Sequence, residues 1–131
     1  MISYFAVLHK NSDEQYEVNF PDLEPYAATF GNSVKEALKR AHDSLTGYLL
    51  TEEDYNEDVP KPTTDPANFN VISPDFIVPV EVNLTLERQK EQNKLIKKTL
   101  SIPKYLNDLG IEHQINFSQT LTTALKNELN I

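Results

Sequence analysis

The first nine residues are mostly apolar on both alternating faces, with Ile2, Tyr4, Ala6 and Leu8 on one side and Met1, Phe5 and Val7 on the other. Such a run belongs to a strand inside a sheet. Residues 15–20 alternate cleanly, Tyr16, Val18 and Phe20 against Gln15, Glu17 and Asn19, which predicts a half-buried strand. Lys10 to Glu14 is the polar hairpin loop between them. Pro21 to Pro25 reads as a turn, and Tyr26–Phe30 as a third short strand ending at Gly31. Ser33 then supplies a helix N-cap, and Glu36 stands at the capping-box position. Val34, Ala37, Leu38, Ala41, Leu45, Tyr48 and Leu49 recur at helical spacing and form one apolar face.

An acidic stretch at 52–58 and a loop punctuated by Pro60, Pro62, Pro66 and Pro74 follow. Asp75–Asn83 predicts another strand, with Phe76, Val78, Val80 and Val82 on one face. Pro79 has no N–H to give a ladder, so this strand belongs at an edge or at a bulge. The expected first domain is β-β-β-α-β over residues 1–84, with strand order 3-2-1-4. A right-handed crossover would set its last strand parallel to the first. Residues 85–94 read as a solvated helix or linker.

A second unit is expected over 95–131. Lys97, Thr99 and Ser101 alternate with Ile96, Lys98, Leu100 and Ile102. Pro103 ends this strand and suits a first helical turn. Tyr105, Leu106 and Leu109 edge a short helix that Gly110 breaks or caps. Asn116 is the N-cap of a second helix, with Gln119 at the capping-box position and Phe117, Leu121, Ala124, Leu125 and Leu129 along one face. A lone strand has no ladder partner, and two short helices cannot bury this much apolar surface. Both problems vanish if two chains pair their strands antiparallel, as in a ribbon-helix-helix dimer whose ribbon enters the DNA major groove. Lys97, Thr99 and Ser101 would then face base edges. Asn116, Phe117 and Ser118 would present a helix N-terminus to a phosphate. Lys97 and Lys98 alone would be an ordinary solvated charge pair. The order of strand, proline, short helix, break and capped helix favours DNA over a purely dimerising module.

Charge changes the picture further. The net charge is −8, but residues 1–92 carry 17 acidic and 7 basic side chains, and residues 93–131 carry 3 and 5. The first part repels phosphate and suits a basic protein partner; the second tolerates phosphate. Glu52, Glu53, Asp54, Glu57 and Asp58 form one candidate docking surface, whose alternative role is a solvated loop. The turn residues Asp22, Glu24 and Tyr26 form a competing one. There is no cysteine, which excludes disulfides and thiolate metal sites and fits a reducing cytoplasm. No signal-peptide pattern opens the chain, and no run approaches the roughly 18 apolar residues of a membrane span. His9, His42 and His113 lack ligand spacing. Glycines at 31, 47 and 110 cannot build a phosphate loop, and Ser118 lacks the glycines of a nucleophile elbow. No catalytic residue, metal or cofactor is expected.

The run Lys97 to Asn107 (KKTLSIPKYLN), followed by Ile115 to Leu121 and Ala124-Leu125-Lys126, resembles the C-terminal domain of HicB antitoxins. Val18-Asn19-Phe20-Pro21-Asp22-Leu23 and Thr29 to Leu38 resemble the same family's N-terminal half. The chain departs at Glu24-Pro25-Tyr26, where the family has a proline-glycine turn. The resemblance implies a partial ribonuclease-H-like N-terminal domain that binds a small basic HicA-type ribonuclease toxin. It also implies a C-terminal dimer that represses its own operon in the bacterial cytoplasm. Two other classes compete: a stand-alone ribbon-helix-helix repressor with a ligand pocket under the helix, and a degenerate nuclease. The nuclease would need an acid on the first strand, which Met1 to His9 lacks.

Overall fold

The N-terminal alternation becomes β1 (Ile2–Lys10), an inner strand of a four-stranded sheet. β2 (Tyr16–Asn19) pairs antiparallel with β1, and β3 (Thr29–Gly31) lies outside β2. The long amphipathic run becomes α1 (Val34–Asp54), which crosses the sheet before β4 (Phe76–Val82) completes the order β3-β2-β1-β4. The computed structural model describes residues 1–131 and divides into two compact units, Met1–Lys94 and Leu95–Ile131.

The core of the first unit follows the period-2 and period-3.6 patterns. Tyr4, Ala6, Leu8, Val18 and Phe20 from the sheet meet Ala37, Ala41, Leu45 and Leu49 from α1, with Val80 and Val82 from β4. Gly31 is required where β3 hands over to α1, because a Cβ there would lie 2.7 Å from the Ala37 Cα. β3 is shorter than its apolar pattern predicts, since Ala27 takes a left-handed φ of 63° and ends any continuous extension from Tyr26.

The direction of β4 corrects the sequence expectation. It runs antiparallel to β1, with Ile2 opposite Val82 and Leu8 opposite Phe76. The loop between α1 and β4 is the physical cause. Leaving α1, it is tied where Pro60 accepts a hydrogen bond from the Tyr4 hydroxyl. Thr63 then donates its N–H and its hydroxyl to Asp22, each at 2.7 Å. Further on, Phe69 meets Phe5 edge to face at 6.0 Å, and Asp75 pairs with His9 at 2.7 Å. The loop thus covers the sheet face opposite α1 and delivers β4 to the far end of β1. That covering accounts for the apolar residues Phe5 and Val7 on the second face. Pro79 lies on an outer strand, where a missing N–H leaves no ladder bond unmade.

Residues 84–92 form α2 (Leu84–Gln92), a helix of the first unit, not a free linker. Asn83 caps it by accepting from the Leu86 N–H at 3.1 Å, and Leu84 packs against the core. Arg88 binds it to the end of α1, reaching Glu53 at 3.2 Å and Asp54 at 2.9 Å.

In the second unit, residues 95–103 form neither helix nor strand within one chain, and α3 (Lys104–Glu112) and α4 (Phe117–Leu129) follow. Gly110 neither breaks nor caps α3. The helix ends through Gln114, which takes the left-handed φ of 56° while Ile115 N–H bonds back to the Gly110 carbonyl at 2.8 Å. Gly110 serves packing instead, because a Cβ would meet the Phe117 ring at 2.5 Å. Both expected capping boxes are half made. Ser33 and Asn116 accept from the N–H of Glu36 and Gln119, at 3.1 and 3.0 Å. The Glu36 carboxylate turns to Arg40 at 3.0 Å, and the Gln119 amide turns to Thr123.

Candidate functional site

The residues expected to read DNA lie together on the second unit. Lys97, Thr99 and Ser101 are all exposed on the segment before α3. Asn116 uses its side chain as the α4 cap, so its contribution to a phosphate would come through the helix terminus it organises. Phe117 is part of the α3–α4 contact through Gly110, and Ser118 stands exposed at the first turn of α4. In the same unit Lys98, Leu100, Ile102, Phe117, Leu121 and Ala124 line a groove of about 510 Å³. Not one residue of 95–131 is buried within a single chain. Leu100, Ile102, Leu106, Leu109, Leu121, Leu125 and Leu129 all remain exposed. α3 and α4 thus leave a broad apolar surface open within the chain.

The two candidate partner surfaces of the first unit are rearranged by the fold. Asp22 is consumed internally by Thr63. Glu24 lines a groove on the loop-covered side of the sheet, with Val7, His9, Glu17, Phe69, Ile72 and Asp75. Tyr26 turns to α1 and stacks on Tyr48, with centroids 5.7 Å apart and planes within 13°. In the acidic stretch, Glu53 and Asp54 are paired to Arg88, while Glu52 lies partly buried at the end of α1, and Glu57 and Asp58 stand exposed beyond it. The Arg88 guanidinium is held above its ordinary pKa by the Asp54 hydrogen bond. His9 is likewise raised, first by its hydrogen bond to Asp75 and then by that carboxylate's charge. The His9–Asp75 pair and the Tyr26–Tyr48 stack join residues 66 and 22 positions apart. No local spacing signals either of them.

The space under α1 is filled by core side chains. No group of three or more histidines and carboxylates is placed to hold a metal ion. No helix is long and apolar enough to cross a membrane.

The molecule is thus an α+β protein, with an acidic sheet-and-helix unit and a second unit whose apolar face is open. The chain belongs to the HicB-like antitoxin family of bacterial toxin-antitoxin systems, whose profile matches residues 4–122. It is a member of a family of antitoxins, not of enzymes. Among solved structures it is similar to a chain of a toxin-antitoxin complex from Streptococcus pneumoniae, at 31% identity and TM-score 0.55, over 97% of this chain and 98% of that one. The Burkholderia pseudomallei antitoxin HicB shares the fold at 21% identity and TM-score 0.56, over 99% and 98% of the two chains. The N-terminal domain of that antitoxin aligns at 22% identity and TM-score 0.50, covering 63% of this chain and 100% of its own. No curated protein matches the chain.

Proposed function

We propose that this antitoxin neutralises a small, basic HicA-type ribonuclease through its first unit and represses its own operon through its second. In this reading residues 95–131 of two chains form a ribbon-helix-helix dimer, and residues 95–102 become a strand only when paired with their copy. The carrying observation is the second unit's complete lack of buried residues beside a correctly capped, helix-forming sequence. At about 25 cal/mol per Å² of apolar surface, pairing such faces supplies the stabilisation that one copy cannot supply for itself. Pairing would also set Lys97, Thr99 and Ser101 on one face and Leu100 and Ile102 on the other.

The first unit takes the role of the family's partial ribonuclease-H-like toxin-binding domain. Its β-β-β-α-β element order supports this, with β4 antiparallel to β1 as the local departure. Its excess of acidic side chains suits a cationic ribonuclease. Operator DNA, the toxin and a second copy of the chain are the partners, in the bacterial cytoplasm.

Co-expression tests the reading. The small basic protein encoded beside this chain should arrest growth alone, and growth should recover with the antitoxin. The antitoxin should co-purify with it. Absence of both rescue and co-purification contradicts toxin neutralisation.

A further inference from the structure

Two residues along one line of α1, Ser44 and Tyr48, act on the turn that precedes β3. Ser44, Tyr48 and Glu52 are spaced four apart, so their side chains rise from the same helical face. The Ser44 hydroxyl donates to the Ala27 carbonyl at 2.8 Å. Tyr48 receives the Tyr26 ring. Ala27 sits at φ 63°, a conformation costly for a residue with a Cβ and maintained only where the surroundings impose it. Here the Ser44 bond to Ala27 and the Tyr26 N–H bond to the Leu23 carbonyl at 2.9 Å hold the turn, with the Tyr26 ring set on Tyr48. Tyr26 stays 60% exposed although its ring lies on Tyr48. Glu52, one turn beyond, joins no ion pair, whereas its neighbours Glu53 and Asp54 are taken by Arg88. Burial, then Glu52 and Tyr26, raise the Tyr48 phenol above its ordinary pKa, in keeping with a carboxylate beside the stack.

The chain displays the matching chemistry already satisfied nearby. The Arg40 guanidinium lies 5.3 Å from the centre of the Phe30 ring and pairs with Glu36 at 3.0 Å. An aromatic ring from the segment before α1, an arginine and a helix glutamate make one unit. Tyr26 and Glu52 offer the ring and the glutamate without an arginine of their own.

We propose that Tyr26, Tyr48 and Glu52 form a preformed receptor for one arginine of the basic toxin. This rests on the toxin-neutralising reading above. The guanidinium lies on the open side of Tyr26 and donates to the Glu52 carboxylate. Arginine fits better than lysine because its planar, weakly hydrated cation stacks on a ring and pairs with a carboxylate in one pose. Presenting the ring on a pinned turn lowers the ordering cost of binding.

The test uses the full-length chain and the basic protein encoded beside it, with affinity measured by calorimetry. Tyr26→Ala should weaken binding by about 30-fold, the scale of an interface hot spot. Tyr26→Phe keeps the stack, controls for folding and should bind like wild type. Glu52→Gln should weaken binding several-fold, and the double variant should lose less than the product of the two, because both act on one cation. Replacing the responsible toxin arginine by lysine should erase the difference between wild type and Tyr26→Ala. If Tyr26→Ala and Glu52→Gln both bind within about twofold of wild type, the receptor is disproved while toxin binding stands. If wild type itself fails to bind the basic protein, the toxin reading falls and the receptor with it.

Discussion

Two glycines show how one substitution takes opposite signs in the same chain. At Gly31 a Cβ would press on the α1 backbone, 2.7 Å from the Ala37 Cα and 2.9 Å from the Glu36 carbonyl carbon, and backbone cannot step aside. Gly31→Ala should destabilise by about 1–3 kcal/mol, the range for overpacking. Gly47 lies inside α1 with nothing within 4 Å of its would-be Cβ. Gly47→Ala should stabilise by about 0.5–1 kcal/mol through helix propensity. Urea unfolding at constant slope reads both. His9 gives a pH dependence at the same scale. Its folded pKa is raised above the ordinary 6.5 by Asp75. The stabilisation is therefore full below about 6.5, the unfolded value, and fades as pH climbs through the higher folded value. Amide exchange near Asp75 should be better protected at a pH about one unit below 6.5 than in alkaline buffer, after correction for intrinsic rates. His9→Ala should flatten the difference. The spacing of His9 in the sequence carries no sign of this, because its partner arrives from a loop 66 residues away.

The elements were legible where periodicity is a local property. β1, α1 and α4 follow directly from apolar spacing and from Ser33 and Asn116 as caps. Strand order was legible too, since Pro79 requires an outer strand. The direction of β4 was not, because it depends on which face of the sheet a proline-rich loop covers. That is decided by Tyr4, Asp22 and His9 catching Pro60, Thr63 and Asp75. Asp22 consequently changes role, from a candidate grip on a partner to the anchor of this loop. Asp22→Ala should cost about 1.5–3 kcal/mol, the range for hydrogen bonds to a charged group. It should also speed protease cleavage between residues 55 and 75, before any change in the α1 core. Unchanged stability and cleavage would show that the loop is held without it. α2 depends on a similar catch: Arg88→Ala should fray residues 84–92 first, seen as faster amide exchange there, with α1 unaffected.

At the scale of the whole molecule, all the fully buried apolar side chains belong to Met1–Lys94. A chain ending at Glu91 should therefore keep its fold and its hold on the toxin but lose ribbon-mediated pairing, whereas the intact protein should show no clean monomer at micromolar concentration in light scattering. The charge division suits two partners of opposite sign: 17 acidic residues before position 93 for a cationic protein, and Lys94, Lys97, Lys98, Lys104 and Lys126 after it for phosphate. The contacts that set Tyr26 and hold α2 were the least legible part of the chain, since Tyr48, Ser44 and Arg88 acquire meaning only through partners that close across the fold. The central claim is that one chain holds DNA and toxin on separate units. Its most direct test is a titration of the full-length protein with DNA from upstream of its own gene, over a range of salt, beside a Lys97/Thr99/Ser101 triple alanine variant. Wild type should prefer this DNA to random sequence, with affinity falling steeply as salt rises. The variant should lose the preference and flatten the log–log slope by about one unit per abandoned phosphate contact, yet capture the toxin as wild type does. Equal DNA binding by both proteins would contradict the account.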